Sequence, residues 1–337
     1  MQTALLALAS ALPAVAQNRW SIVEDGGITW NVEPGKGHQD HIEMSGKKVS
    51  AIVTYGVDQA GRLTLSRHVV FPMLRFAPNK TRDHLALVFA DDAAPRYFID
   101  RAAPRGEVVL RVHHKGIMRI ESVIGRNREV SLTRTIFPSV NKPLVIEAYT
   151  FTNNTEKDIT VEVESTEKVV RTNPSRGIYG GYIATSEVQG SGERVVRPKE
   201  ATTYAMLFSA RKTGEPELPV DVTAEEQERR NRIEDLLAVL QLETPDPVLN
   251  TAFAFAKIRA AESIYETKGG LMHGPGGGAY YAAIWANDQA EYANPFFAYL
   301  GDETAVESAR NSYRHFARYM NPDFKPIPSS IISEGEG

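Results

Sequence analysis

The sequence predicts a multidomain β-then-α chain: an N-terminal antiparallel β-(super)sandwich, a linker helix, and the opening helices of a second domain. Two observations carry this reading. From Trp20 to about Ala210, short runs with apolar–polar alternation recur between loops bearing Gly, Pro, Asn and Asp. After Pro219 the apolar period changes from two to the helical value. The 337 residues leave room for two domains, at about 150 residues each. The expected boundaries are 1–16 for a signal segment, 17–212 for the sandwich, 213–245 for the linker helix and 246–337 for the first helices.

The strands are read in order. Lys48–Tyr55 is rich in β-branched and aromatic residues, and the turn signal Asp58-Gln59-Ala60-Gly61 follows it. Leu63–Val69 resumes with a two-residue period, the mark of a strand with one buried face. Val108–Val112, Ile117–Val123, Val130–Phe137, Leu144–Thr152, Ile159–Glu164 and Thr202–Ser209 repeat the pattern. Many strands without a helix among them indicate a large antiparallel sandwich.

Thr223-Ala224-Glu225-Glu226 has the form of a capping box and opens the linker helix. Ile233, Leu236, Leu237 and Leu240 make its packed stripe, while Glu228 to Arg232 are expected to stay wet. Asp246-Pro247 starts the next helix, with proline in the first turn where its missing N–H costs nothing. Its expected stripe is Leu249, Phe253, Ala256, Ala260 and Ile264, ending at Gly269-Gly270. A third helix is predicted from Trp285 to Leu300. A fourth is capped by Asp302, buries Val306, Ala309, Tyr313, Phe316 and Met320, and stops at Asn321-Pro322. Residues 327–337 read as a loop. Wide apolar faces on so few helices cannot all be buried against one another, so the helical part is expected to continue past Gly337.

Composition narrows the partners. A net charge of −4 without a long basic run gives no support for nucleic acid as a partner. No cysteine is present, which excludes disulfides, thiolate metal sites and cysteine nucleophiles. The first sixteen residues, MQTALLALASALPAVA, fit the hydrophobic and cleavage regions of a secretory signal processed before Gln17, although no Lys or Arg precedes Arg19. The expected location is therefore secreted or periplasmic. No other stretch approaches the ~20 apolar residues of a membrane span. His38-Gln39-Asp40-His41 and His113-His114 hold ligand-type side chains, but adjacent strand residues point to opposite faces, so no metal and no cofactor are expected. Asn153-Asn154-Thr155 matches the glycosylation pattern, which is too common to weigh.

The chemistry is concentrated between Met272 and Tyr292. There a glycine loop, Gly274-Pro275-Gly276-Gly277-Gly278, runs into Tyr280, Tyr281 and Trp285, then into a helix start with Asn287, Asp288 and Glu291. Sugar sites need this mixture. An aromatic face packs on the C–H surface of a pyranose, a fixed carboxylate accepts from paired hydroxyls, and glycines let the backbone approach. A phosphate cradle is disfavoured, because no βαβ strand precedes the glycines and no Walker lysine follows them.

Pro275-Gly276-Gly277-Gly278, the two tyrosines and Trp285-Ala286-Asn287-Asp288 resemble the first-hairpin loop of the six-hairpin (α/α)6-barrel glycosidases, the group of trehalases, glucoamylases and glycogen-debranching enzymes. The resemblance covers about twenty residues at motif level, together with the order of sandwich, linker helix and barrel. Glu147 to Thr155 also resembles a strand-and-turn segment of such sandwiches. It implies that 246–337 opens an incomplete (α/α)6 barrel and that Asp288 holds hydroxyls of the sugar. Trp285 matches the aromatic of the family's Trp-x-x-Asp form. The trehalase arginine is replaced by Gly278 or Ala279 and the glucoamylase arginine by Asn287, so neither specificity carries over.

The implied function is glycoside hydrolysis of an oligo- or polysaccharide. Inverting acid/base chemistry is implied, with the catalytic acid and base on later barrel loops. Asp288 and Glu291, three apart on one helix, share a face and hardly flank a scissile bond. Asp288 is therefore read as a substrate ligand, with general acid as its alternative role. Glu334 and Glu336 are expected on the same barrel rim. The candidate substrate-binding set is thus Gly276, Gly277, Tyr280, Tyr281, Trp285, Asn287, Asp288, Glu291, Glu334 and Glu336. Rival readings are a non-catalytic carbohydrate-binding protein, a polysaccharide lyase, which the β-first order disfavours, and a phosphorylase of the same barrel. Burial of Trp20 and Trp30 would count against a binding face on the sandwich.

Overall fold

The structure, a computed structural model, describes residues 19–76 and 81–337; the expected signal segment lies outside the described residues. Every paired strand is antiparallel. A nine-stranded sheet runs, in spatial order, Ser21–Ile22, Ile28–Asn31, Val108–His114, Met118–Ile124, Val130–Pro138, Leu144–Asn153, Ala201–Lys212, Tyr182–Gln189 and Glu167–Arg171. It shares a hydrophobic core with a four-stranded sheet (His38–Gly46, Val49–Val57, Leu63–Arg75, His84–Phe89) and with a three-stranded one (Gly192–Val196, Ile159–Val163, Tyr97–Ile99).

The period-two pattern explains this layering. Val49, Ala51, Val53, Tyr55 and Val57 all point into the core, while Ile52 and Thr54 between them face outward. Every strand read from the sequence is present. Those that were missed, such as His38–Gly46 and Tyr182–Gln189, carry polar residues along much of their length, so their alternation is weak. Trp30 is buried in the core and Trp20 packs against it, so neither offers an exposed stacking face. Asn153 is fully buried and donates to the carbonyls of Lys157 (2.8 Å) and Val196 (2.9 Å), leaving no accessible amide for a glycan.

Helix α1 spans Val222–Ala238 and packs its start against the outer face of the nine-stranded sheet. Two expectations about it are corrected. Asp221, rather than Thr223, is the cap, accepting from the amides of Thr223 (3.0 Å) and Ala224 (3.1 Å). Arg229, expected to be wet, is buried and donates to the carbonyls of Gly116 (2.7 Å) and Ser45 (2.9 Å) and to Glu262. A guanidinium is tolerated there because four of its five N–H donors are used, two of them on the Gly116 carbonyl.

Helix α2 spans Pro247–Glu262 and is capped by Asp246. It does not run on to Gly269-Gly270. Ile264–Thr267 and Gly270–His273 form a hairpin instead, closed at Gly270 with φ +97°. The β-branched and aromatic residues Ile264, Tyr265 and Thr267 favour strand once Ser263 has ended the helix. The buried side of α2 is also rotated from the expected stripe: Lys257, Ile258, Ala261 and Glu262 face inward, whereas Leu249 and Ala256 are exposed.

Helix α3, 286–300, begins where predicted but contains a π-helical turn over Gln289–Ala293. Pro295 is the physical reason. It has no N–H to donate and crowds the carbonyl four residues back, so the turn before it widens. Gly301, at φ +79°, ends the helix in the left-handed conformation. Helix α4, Glu303–Ala317, is capped by Asp302 as expected. Its buried side is Ala305, Ser308, Ala309, Ser312 and His315, so Tyr313 and Met320 are exposed rather than buried. The terminal loop is partly a strand, because Ser330–Ile332 pairs with Ala283–Trp285.

Candidate functional site

The glycine loop is built by the sandwich as much as by its own residues. Gly276, Gly277 and Gly278 are all left-handed (φ +79°, +68° and +84°), a run that only glycine adopts without strain. Glu43, on the strand His38–Gly46, holds the loop down. Its carboxylate accepts from the Gly277 amide (3.1 Å), the Tyr281 hydroxyl (2.9 Å) and Ser50 Oγ (3.0 Å), and pairs with Arg259 of α2 at 2.7 Å. A side chain at Gly276 would meet Arg259 Nη2 at 2.7 Å and Glu43 at 2.8 Å. The Gly276 and Gly278 amides donate to the Tyr280 carbonyl (2.9 Å) and the Tyr281 hydroxyl (2.8 Å). The loop amides are thus engaged by the protein itself, and the loop is a rigid spacer rather than an anion cradle.

What the loop presents is aromatic. Tyr280 is partly exposed and meets Trp285 edge to face, with ring centres 5.6 Å apart. Arg82 lies 4.3 Å over the Tyr280 ring and donates to its hydroxyl. Trp285, half-buried at the end of its strand, leads into α3, where Asn287 is exposed and Asp288 half-buried. The Asp288 carboxylate lies near Tyr292; burial first and this carboxylate second push the Tyr292 pKa up. Gln289, buried, ties the helix start to the hairpin by donating to the His273 carbonyl at 3.2 Å.

The ten expected residues therefore fall into four groups. Tyr280, Trp285, Asn287 and Asp288 stand together at the accessible start of α3, with Gly276 and Gly277 on the loop that leads to them. Tyr281 is fully buried against Tyr265 and Val70, its hydroxyl engaged by Glu43, and burial with Glu43 beside it pushes its pKa up. Glu291 is exposed, but it lies in the π-helical turn, where the wider coil breaks the same-face relation to Asp288 expected from three-residue spacing.

Glu334 and Glu336 do not share a rim with Asp288. In the paired ribbon Trp285 lies opposite Ser330 and Ala283 opposite Ile332, so the chain leaves toward Glu334 at the far end. At ~3.3 Å per residue the four steps from Ala282 to Ala286 span roughly 13 Å. Glu334 points back into the sandwich, paired with the buried Arg75 (3.3 Å) and accepting from Tyr179 (3.1 Å). Glu336 is exposed. No local pattern marks Glu43, Arg82 or Arg259 in the sequence. Their partners are about two hundred residues away along the chain for the first two, and Arg259 reads as an ordinary helix-surface arginine.

Glu43→Gln removes the charge that Arg259 faces and part of a four-donor site. It is expected to cost about 1.5–3 kcal/mol, the range for hydrogen bonds to charged groups. Hydrogen exchange over 274–281 should speed up beside the drop in denaturation midpoint. Unchanged exchange in that segment would show that Glu43 does not anchor the loop.

The fold and site define a β-sandwich joined through a linker helix to a helical unit with an aromatic–carboxylate surface at a helix start. No protein-family model matches the chain, and no curated protein sequence matches it. Among solved structures, a human-microbiome protein described as a kojibiose phosphorylase is similar at a TM-score of 0.55 and 9% identity, over 94% of this chain and 53% of that one. A bacterial glucoamylase complexed with acarbose is similar at a TM-score of 0.37 and 12% identity, over 91% of this chain and 55% of that one. The likeness to the first is one of fold. The chain spans about half the length of each, 53% and 55%.

Proposed function

We propose that this chain is the front part of an exported carbohydrate-active enzyme, a glycoside hydrolase acting on an oligo- or polysaccharide. The observation that carries the reading is the cluster of Tyr280, Trp285 and Asp288, held at the accessible start of α3 by a loop fixed to the sandwich. Aromatic faces and a half-buried carboxylate suit a pyranose, which offers C–H surface on one side and hydroxyl pairs at its edge. The fold shared with a protein described as a sugar phosphorylase supports the same class. In this proposal Asp288 binds hydroxyls, and the acid and base of an inverting hydrolysis come from chain beyond Gly337. Exposed Leu249, Tyr299 and Tyr313 on the helices, with Met320 just past the last of them, fit a unit that receives further helices.

The test is to express the reading frame extended past Gly337 and assay it on a glycan panel beside Asp288→Asn. Loss of a charge-assisted hydrogen bond to substrate should lower kcat/KM about 10- to 100-fold, from about 1.5–3 kcal/mol. An active protein indifferent to the substitution would remove Asp288 from the site. The 337-residue chain alone is expected to bind sugar without turnover, so hydrolysis by it would overturn the division of labour.

A second reading, phosphorolysis, is favoured by the neighbour described as a kojibiose phosphorylase. Sugar 1-phosphate formed only with inorganic phosphate would identify it. The phosphate would have to bind away from the glycine loop, whose amides are taken.

A further inference from the structure

The segment that leads into the strand His84–Phe89 places a cation on the aromatic surface of the glycine loop. Arg82 is exposed, and its guanidinium lies 4.3 Å over the Tyr280 ring while donating to the Tyr280 hydroxyl. Tyr280 is its one partner among the described residues, and no carboxylate pairs with it there. An arginine has five N–H donors and no acceptor. One is spent on the tyrosine hydroxyl, so four remain without a protein acceptor.

This cation is held in place before any ligand arrives. The Gly277 amide ties the loop to Glu43, and Trp285 meets the Tyr280 ring edge to face at 5.6 Å. A group already positioned loses less freedom on binding. Its planar fork of N–H donors matches the paired oxygens of a carboxylate, and one guanidinium balances one negative charge. Phosphate carries more charge and suits the place poorly. The loop amides that would share it are taken, and Asp288 and Glu291, which follow Trp285 on α3, repel it.

We propose that Arg82 makes this surface selective for an acidic sugar, taking the carboxylate of a uronic acid unit. The guanidinium covers one face of Tyr280, so Trp285 is the ring left for the pyranose. Asp288 then accepts from hydroxyls of the same saccharide. The proposal rests on the reading of Tyr280, Trp285 and Asp288 as a sugar surface, and it names the substrate class as a uronate-containing oligo- or polysaccharide. The cation comes from the sandwich and the carboxylate from α3, so both units are needed to complete the site.

The test titrates methyl β-glucopyranosiduronate and methyl β-glucopyranoside into the 337-residue chain, read by calorimetry and saturation-transfer NMR. The two probes differ only in carboxylate for CH2OH. At low salt the wild type should bind the uronate roughly 5-fold more tightly or better, and added salt should narrow the gap. Arg82→Gln, at an exposed position, should remove or reverse that preference, since Asp288 and Glu291 remain, and should leave the neutral glycoside's affinity unchanged. Arg126→Gln removes the same charge from the exposed turn before Val130–Pro138 and should change nothing. Three results would each overturn the acidic-sugar proposal and leave the neutral-sugar reading standing. They are equal binding of the two glycosides, a preference that survives Arg82→Gln or is lost equally in Arg126→Gln, and acetate binding as tightly as the uronate. Binding of neither glycoside would overturn the sugar surface itself.

Discussion

Arg67→Met is expected to lower the stability of the sandwich by about 3–5 kcal/mol, the cost of leaving one member of a buried ion pair alone. Arg67 and Glu147 are both fully buried and joined by two hydrogen bonds of 2.7 Å across the two layers of the core. Tyr149 donates to the same carboxylate at 2.6 Å, and Arg67 also donates to the Leu65 carbonyl at 3.1 Å. Burial pushes the Glu147 carboxyl up, yet the Arg67 guanidinium outweighs it and holds the group below the usual carboxylate range. The pair is therefore charged, and removing one half strands the other. Replacing the set together, as Arg67→Met, Glu147→Leu and Tyr149→Phe, should recover most of the loss, since apolar groups of similar volume need no partners. Chemical denaturation of the single and triple variants decides the matter. A loss below about 1 kcal/mol in Arg67→Met would mean that water reaches the pair.

Acid should destabilise the chain from about pH 6.5 downward, before ordinary carboxylates begin to titrate. Burial holds three imidazoles neutral: His84 down to about 4, with Arg75 and His68 adding to the effect and Asp83 opposing it, His273 down to about 4 beside Arg259, and His114 down to about 3. The unfolded chain binds protons at these residues near the ordinary histidine value, so between about pH 6.5 and 4 the unfolded state holds more protons. Stability from these groups is complete above that window and falls as pH falls through it. At about 1.4 kcal/mol per pKa unit, pH 4.5 removes roughly 2–3 kcal/mol for each histidine. Together these approach the whole stability of an ordinary domain, about 5–15 kcal/mol. The Glu262 carboxyl, pushed up by burial, works in the opposite direction and offsets part of the loss. Denaturation midpoints measured at pH 7 and 4.5 test the sign and size, and His114→Phe should flatten the slope. A midpoint that does not move would require the three rings to take protons without opening the fold.

Two kinds of information separate in this chain. Local regularities were legible in the sequence: strands with clear alternation such as Val49–Val57, the proline-led start of α2, the Asp302 cap of α4, and the adjacency of Trp285 and Asp288. Each depends on residues a few positions apart, whose spacing alone places them on one face or at one helix end. The hairpin at Ile264–His273 and the pairing of Ser330–Ile332 with Ala283–Trp285 were not legible, because short segments take the form that their tertiary partners complete. Arg229 divides between the two: four before Ile233 and seven before Leu236, it falls on the packed stripe of the helix wheel, but only the structure supplies its acceptors, the carbonyls of Ser45 on a distant strand and Gly116 in a distant turn. The site divides in the same way. The sequence determined that an aromatic–carboxylate cluster follows a glycine run. Only the tertiary structure decided that Glu43 fixes that run, that Tyr281 lies inside, and that Glu334 and Glu336 leave from the other end of the ribbon. Those outcomes depend on contacts between groups far apart along the chain, and no local period encodes them.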